Sequence, residues 1–420
     1  MTLLCADAGT SSLKCALIDW EPCPDGQRAW LADGPGCARL LAFHREQYPQ
    51  GESAAGLEAA LYRGFAALAG GNGAPGGLRV DGICVSAAGP SLIPVTRTGR
   101  ALGELWWFSP ALRSRPLRSF FLPYVLWQQK HRPDDYRRTA LYLSLQEYLV
   151  CKLGARPVTV LPTPAYQDYY WPRAELAAAG IDDVKFPPFV PPGFVAGTLS
   201  GEAAARTGLA RGIPLLPAGP DFIMALHGCG IHQAGMVCDR AGSSEGINVC
   251  AGEDACAAAL TRGDTSGLRI LPHAVQGLWN VSVVIPESGS LFDRYRRENG
   301  LDGVSYGAIL AALLPEWGRA GDEGEPPAPV SAAVRRRGRA TLEKIALRVK
   351  DALETLRARG FAVDRMVVCG GQAKNARWNR YKSDKIGCAL VLPPIADAEL
   401  AGNARIAYHA LCRRAKGNAD

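Results

Sequence analysis

The sequence predicts an α/β protein assembled from two related halves, and three observations carry that expectation. A glycine–hydroxyl segment flanked by strand-like sequence occurs twice, at Asp7-Ala8-Gly9-Thr10-Ser11-Ser12-Leu13-Lys14 and at Asp239-Arg240-Ala241-Gly242-Ser243-Ser244-Glu245-Gly246. Strand patterns and amphipathic helix patterns follow one another along the chain. With 420 residues the chain exceeds what one core usually organises, so two domains are expected.

The elements follow in order. Leu3-Leu4-Cys5-Ala6 and Cys15-Ala16-Leu17-Ile18 bracket the first tip as a tight hairpin, and Met236-Val237-Cys238 and Ile247-Asn248-Val249-Cys250 bracket the second. Ala54 to Leu68 reads as a helix, followed by a Gly-rich loop and then a strand over Val80 to Ser86. Residues 115–155 read as helical from Leu122, Val125, Leu126, Leu143, Leu145, Tyr148 and Leu149. Phe186 to Pro192 is Pro-rich and extended or looping, a strand ends at Pro214 to Gly219, and Pro220 opens a helix as its first residue. Gly318 to Gly338 reads as a mobile insertion in which Arg335, Arg336 and Arg337 form a solvated run. Thr341 to Arg359 is an amphipathic helix closed by Gly360, Met366 to Cys369 is a strand before Gly370-Gly371, and Asp397 to Arg413 is a further helix.

Composition narrows the function classes. Hydrophobic residues at 48% and charged residues at 21% describe a chain with substantial cores, and a net charge of +7 is modest for this length. There is no aromatic-studded basic stripe of the nucleic-acid-binding kind and no apolar run long enough to span a bilayer. No secretory leader pattern opens the sequence, and the 13 cysteines are scattered, odd in number and free of Cys-x-x-Cys pairs. A cytoplasmic protein with reduced thiols, binding neither nucleic acid nor membrane, is the expectation.

Each motif has a plain structural reading beside its functional one. Glycine followed by hydroxyl residues at a hairpin tip offers backbone N–H and side-chain O–H donors to a phosphate. Gly71-Asn72-Gly73-Ala74-Pro75-Gly76 spells G-x-G-x-x-G but follows a helix pattern, which is the reverse of the dinucleotide context. Gly242-Ser243-Ser244-Glu245-Gly246 spells G-x-S-x-G, so a serine hydrolase using Ser244 is an alternative; that elbow requires a strand before and a helix after it. Asp221 is either a carboxylate complementing a helix dipole or a base at a strand end. Asp7 is either a turn residue or a carboxylate anchoring hydrated Mg²⁺. Lys14 either meets phosphate or is a solvated strand residue. Gly370-Gly371 suits close approach to a ligand or a simple turn. Trp106, Trp107 and Tyr169 offer stacking faces for a ligand ring or belong to the core.

Taken in order, these segments resemble the FGGY carbohydrate kinases (xylulokinase-like sugar kinases) of the actin-like ATPase superfamily. Asp7 to Lys14 resembles that family's first phosphate hairpin and Gly242-Ser243-Ser244 its second. Trp127 with Pro133-Asp134-Asp135-Tyr136 and Leu145 to Leu149 resembles its N-domain helical stretch. Ala218-Gly219-Pro220-Asp221 with Ala225, Gly228 and Gly230 resembles the segment carrying the catalytic Asp. Arg339 to Glu343 with Ile345, Ala346 and Asp351 resembles a helical signature. Gly370-Gly371-Gln372-Ala373-Lys374-Asn375 with Trp378-Asn379 resembles the adenosine motif, and Asp397 to Ala404 the C-terminal helix. The sugar-contacting Gln-Met-His of many xylulokinases has no counterpart in Val85 to Ser91, so the ATP-side motifs are kept better than the sugar-side ones.

The resemblance implies two actin-like (ribonuclease H-like) domains, each a mixed β-sheet flanked by helices, with an ATP cleft between them. It divides the chain into 1–234 and 235–420, the second shortened around 300–338. It implies transfer of the ATP γ-phosphoryl group to a sugar, with a pentulose such as xylulose favoured, or to a polyol. ATP and Mg²⁺ are the implied cofactors, and a homodimer is an assembly the family allows. Asp221 would be the catalytic base and would touch the sugar, and Asp7 would hold Mg²⁺ through water. Gly9, Thr10, Ser11, Ser12, Lys14, Gly242, Ser243 and Ser244 would meet phosphates. Gly370, Gly371, Gln372 and Asn375 would line the adenosine, and Trp106 and Trp107 would face the sugar. A non-catalytic ATP-binding switch, or degenerate kinase, of the same superfamily is the alternative.

Overall fold

The computed structural model describes residues 1–21, 37–49, 51–70, 79–103, 105–107, 118–261, 267–319 and 326–417. The G-x-G-x-x-G spelling at 71–76 lies outside them. The chain forms two compact units: Met1–Gly230 with Ala274–Gln276 and Glu399–Asp420, and Ile231–His273 with Gly277–Ala398. Relative to the expected division at 234/235, the helix Ala398–Gly417 is the main difference. From Glu399 onward it is part of the first unit, although it follows the second unit in sequence.

Both units repeat one sheet plan. In the first, the strands lie in the order Gly197–Thr198, Pro214–Pro220, Gly82–Ala87, Thr2–Ala8, Ser12–Glu21, Cys37–Gln47. In the second, the order is Leu268–Pro272, Trp279–Ile285, Glu245–Ala251, Val237–Ala241, Arg365–Cys369, Ala389–Val391. In each, the leading hairpin strand pairs antiparallel with its partner on one side and parallel with a later strand on the other. A third antiparallel strand and a further parallel strand extend the two sides. The echo seen in the sequence is therefore an echo of topology, and the expected α/β character, a mixed sheet with helices in each unit, is borne out.

The cores follow from the strand alternation and helix periodicity that the sequence carries. Leu4, Leu13, Leu17, Phe65, Leu149 and Leu215 are buried together in the first unit, and Ile247, Val281, Ile309, Val349, Leu353 and Trp378 in the second. Among the described residues no helix is long and apolar enough to cross a membrane.

Two expectations are corrected, and one alternative is removed. Residues 115–155 are not one helical stretch: helices Leu122–His131 and Pro133–Arg138 are followed by strand Leu141–Leu143 and helix Leu145–Leu153. That short strand finds a partner in Ser91–Val95, and Ser144 with Glu147 caps the next helix, so pairing and capping override the apolar spacing. The helix expected from Thr341 instead runs from Ala332 to Ala358, capped by the Ser331 side chain, so Arg335–Arg337 stand on a helix rather than in an insertion. Finally, Gly242-Ser243-Ser244 joins the antiparallel strands Val237–Ala241 and Glu245–Ala251. The strand–turn–helix context of a serine elbow is absent there, which removes the hydrolase reading of Ser244.

Candidate functional site

In the first unit three neighbouring parallel strands end together. Thr2–Ala8, Gly82–Ala87 and Pro214–Pro220 finish in register, with Asp7 opposite Ser86, Ala8 opposite Ala87, and Pro220 opposite Ala87. Asp221 is the next residue and opens the helix Asp221–Gly228. Pro220 caps that helix instead of lying inside it. Asp221 is half-buried, and its Oδ1 accepts the Phe222 N–H at 2.6 Å. Open α/β sheets offer ligands this edge, the carboxyl ends of parallel strands.

Asp7 is buried at 3% exposure, and its Oδ1 accepts the Ser86 hydroxyl at 2.7 Å. Asn403, from the helix Ala398–Gly417, donates to the Ala6 carbonyl at 2.8 Å and to Ser86 Oγ at 2.9 Å. That helix also delivers Glu399, whose carboxylate lies 3.8 Å from the Lys14 ammonium. It comes so close to the Asp221 helix that a Cβ on Gly402 would collide with the Met224 backbone. Burial first, then the Glu399 carboxylate, push the Asp7 carboxyl from its ordinary 3.8 up to about 7; Asp221 adds to this, while Lys14 and the Ser86 hydrogen bond oppose it. Three carboxyl groups and one ammonium thus share one electrostatic neighbourhood.

The first tip rests beside them. The Gly9 N–H closes the turn on the Ser12 carbonyl at 2.9 Å. Tyr48 pins the tip, with its N–H on the Ser11 carbonyl at 3.1 Å and its hydroxyl on the Gly9 carbonyl at 2.6 Å. Thr10 and Ser11 are exposed, Gly9 and Lys14 half-buried, and Ser12 is buried at 5%. Trp106 is half-buried and stacks on Tyr124, which in turn stacks on Trp127, at ring separations of 5.1 and 5.9 Å. Tyr169 is half-buried against Phe120 at 5.5 Å. Trp107 pairs through its backbone with Ser91, and its side chain lies outside the described residues.

In the second unit the tip is built the same way and held more tightly. The Gly242 N–H closes on the Ser244 carbonyl at 3.0 Å, and Ser243 and Ser244 are exposed. In both tips the glycine amide is engaged in the turn, so the groups presented outward include the hydroxyl side chains rather than that amide. Gly370, at φ 91°, donates its N–H to the Ala396 carbonyl at 3.1 Å, and Gly371 is exposed. The Gln372 amide turns to the hairpin: it donates to the Gly242 carbonyl at 3.0 Å and to Ser288 Oγ at 2.9 Å, and it accepts the Trp378 indole N–H at 3.1 Å. Asn375 caps the helix Ala376–Ile386 through the Trp378 N–H at 3.0 Å. Two of the expected adenosine side chains therefore have structural duties.

Sequence reasoning missed Tyr48, Ser86, Glu399 and Asn403 in the first unit, and Ser288 and Lys382 in the second, as parts of these sites. The C-terminal helix motif containing Glu399 and Asn403 was the available signal. No local pattern marks the other four.

Residues 331–411 match the model of the FGGY family of carbohydrate kinases, C-terminal domain. The chain is 26% identical over 323 residues to an autoinducer-2 kinase of Enterobacter sp. (strain 638), a match covering 67% of this chain and 59% of that one. It is 25% identical over 367 residues to an L-fuculokinase of Salmonella typhi, covering 79% of this chain and 75% of that one. The chain spans 59% of the length of the autoinducer-2 kinases it matches. Among solved structures, the xylulose kinase from Rhodospirillum rubrum superposes with a TM-score of 0.67 at 20% identity, covering 97% of this chain and 89% of that one. At that identity the likeness establishes the fold. The resemblance read from the motifs is borne out: the chain is similar to the FGGY carbohydrate kinases.

Proposed function

We propose that this chain, similar to the FGGY carbohydrate kinases, is an ATP-dependent carbohydrate kinase. It transfers the γ-phosphoryl group to a hydroxyl of a sugar or polyol, with a pentulose such as xylulose favoured. The observation that carries the reading is Asp221: a half-buried carboxylate one residue past a strand end, in the same electrostatic neighbourhood as Asp7, Glu399 and Lys14. In the proposed reaction the acceptor hydroxyl oxygen attacks the γ-phosphorus, the bond to the ADP oxygen breaks, and the hydroxyl proton passes to Asp221.

The remaining roles follow the chemistry of each group. Thr10, Ser11, Ser12 and Lys14, and Gly242, Ser243 and Ser244, are assigned to phosphate oxygens. Gly370, Gly371, Gln372 and Asn375 are assigned to the adenosine, the last two through backbone or partial contacts because their side chains are engaged. Trp106 and Trp107 are assigned to the sugar. The donor set fits Mg²⁺: burial first, and then the neighbouring Glu399 and Asp221 carboxyl groups, raise Asp7 to about 7, a divalent cation would relieve that crowding, and Asp7 would hold it through water. When bound, Mg²⁺ neutralises charge developing on the phosphate oxygens. Free, mostly buried thiols at the described cysteines support placing the protein in the cytoplasm.

The test is a coupled ADP-release screen with MgATP over xylulose, L-fuculose, autoinducer-2, further pentuloses and hexuloses, polyols and the corresponding aldoses. Saturable, acceptor-dependent ADP release is expected for at least one of them. Measurable ATP binding with no stimulation by any acceptor would instead identify a non-catalytic ATP-binding switch.

A further inference from the structure

We propose that Lys382 is a positioning residue for the second glycine–hydroxyl tip, fixing its peptide planes from inside the domain so that the tip presents amides and hydroxyls outward. This rests on the phosphate reading of that tip.

Lys382 lies on the helix Ala376–Ile386 and is fully buried, as is Asp239. Its ammonium donates to Asp239 Oδ2 at 2.5 Å and to Glu245 Oε1. Asp239 is on the strand entering the tip and Glu245 is the first residue of the strand leaving it. One side chain therefore ties both stems of the hairpin at the end that carries Gly242, Ser243 and Ser244. From Glu245 the connections continue to the turn itself. Ser288 donates its hydroxyl to Glu245 Oε2 at 2.5 Å and accepts the Gln372 amide at 2.9 Å, and that amide also reaches the Gly242 carbonyl at 3.0 Å. Backbone amides complete the hold: Gly289 donates to the Gly242 carbonyl at 3.1 Å, and Ser288 and Ser290 donate to the Ser243 carbonyl at 3.1 and 3.0 Å.

The consequence comes from peptide geometry. In a trans peptide the N–H points opposite to the preceding C=O. With the Gly242 and Ser243 carbonyls drawn toward Gln372 and the 288–290 segment, the N–H groups of Ser243 and Ser244 are aimed the other way. Two successive amides aimed together, beside two exposed hydroxyls, form an anion-binding concavity.

The charges beneath it suit that purpose. Burial, with Glu245 beside it, pushes the Asp239 carboxyl well up. Burial also opposes ionisation of Glu245, but the Lys382 ammonium and the surrounding hydrogen bonds outweigh it and hold that carboxyl below its ordinary range. The Lys382 ammonium closes on both carboxyl groups, so negative charge behind the tip is offset at close range. A buried ionic group is seldom the most stabilising filling for a core, whereas it can enforce a unique arrangement.

The experiment measures MgADP binding by calorimetry, KM for ATP and kcat, and cooperative unfolding, for the wild type, Lys382→Met, Ser288→Ala and the charge-free triple variant Asp239→Asn/Glu245→Gln/Lys382→Met. The expected result is cooperative unfolding in Ser288→Ala and the triple variant, with nucleotide binding and KM for ATP weakened by about tenfold and kcat changed by less than about threefold. Nucleotide binding within about twofold of wild type in either folded variant would overturn the positioning role. If Lys382→Met does not fold, Ser288→Ala decides, because it breaks the connection to Gln372 and leaves the ion pairs in place. Absence of nucleotide binding by the wild type would overturn the phosphate reading and this proposal together, which separates that failure from a failure of the positioning role alone.

Discussion

The two glycine–hydroxyl tips share a topology, but the acids beside them are handled in opposite ways. At the first, Asp7 is buried next to Glu399 and Asp221, and its carboxyl is pushed up to about 7. At the second, Asp239 and Glu245 close directly on the Lys382 ammonium inside the domain. The first arrangement leaves crowded carboxyl groups whose repulsion an arriving cation would relieve. The second has settled its charges internally and uses them to hold backbone. One strand plan therefore carries crowded carboxyl groups at a strand edge in one unit and a closed ion-pair cluster in the other, and the side chains arriving from distant helices make the difference.

Four substitutions would break or sharpen that contrast. The largest effect is expected from Asp221→Asn, which should lower acceptor-dependent kcat by about a thousandfold while MgATP binding is retained; this is the order expected for loss of a general base. Unchanged turnover would remove Asp221 from the chemistry. Next is Lys382→Met, which strands buried carboxyl groups and should lower the stability of the second unit by about 3–5 kcal/mol in denaturant unfolding. A change below about 1 kcal/mol would show that the buried ions are not mutually dependent.

Asp7→Asn should act in the other direction on stability. The folded-state value of Asp7 is raised from 3.8 to about 7, so the folded protein binds that proton more tightly than the unfolded chain does. Its favourable contribution is complete below 3.8 and is lost as pH rises through about 7. Asp7→Asn should therefore stabilise the first unit at about pH 8, by on the order of 1–3 kcal/mol, and much less near pH 4. The same variant should raise the Mg²⁺ concentration needed for half-maximal activity. Equal stabilisation at both pH values would show that Asp7 does not titrate in this range. The smallest effect is expected from Tyr48→Phe, which removes the hydroxyl that holds the Gly9 carbonyl and should cost about 0.5–1.5 kcal/mol, read as a small drop in Tm. A larger loss would mean that the first tip depends on Tyr48 as heavily as the second does on its own supports.

What the sequence made legible was local. Gly9 and Gly242, followed by hydroxyl residues and bounded by strand alternation, fixed both turns, because turn chemistry and alternation are properties of neighbouring residues. Asp221 was legible for the same reason, as the acid following Pro220 before an apolar helix. The supports were not legible. Lys382 meets Asp239 across 143 positions, and Asn403 meets Ala6 across 397. Neither has a local pattern that distinguishes it from an ordinary helix residue. Residues 115–155 misled for a related reason: their apolar spacing suits a helix, but Leu141–Leu143 found a strand partner in Ser91–Val95, and no periodicity within the segment reports that partner.

The return of the helix Ala398–Gly417 to the first unit has a consequence for how the molecule is made. Strand Thr2–Ala8 precedes the second unit in sequence, yet Asn403, which donates to its Ala6 carbonyl, comes 397 residues later. The first domain must wait through synthesis of nearly all of the second before its own edge is sealed. During that interval Ser86 and the Asp7 strand lack a partner that they have in the finished fold. Damage to this helix would then appear as loss of function far away in sequence, at the strand Thr2–Ala8 of the first unit.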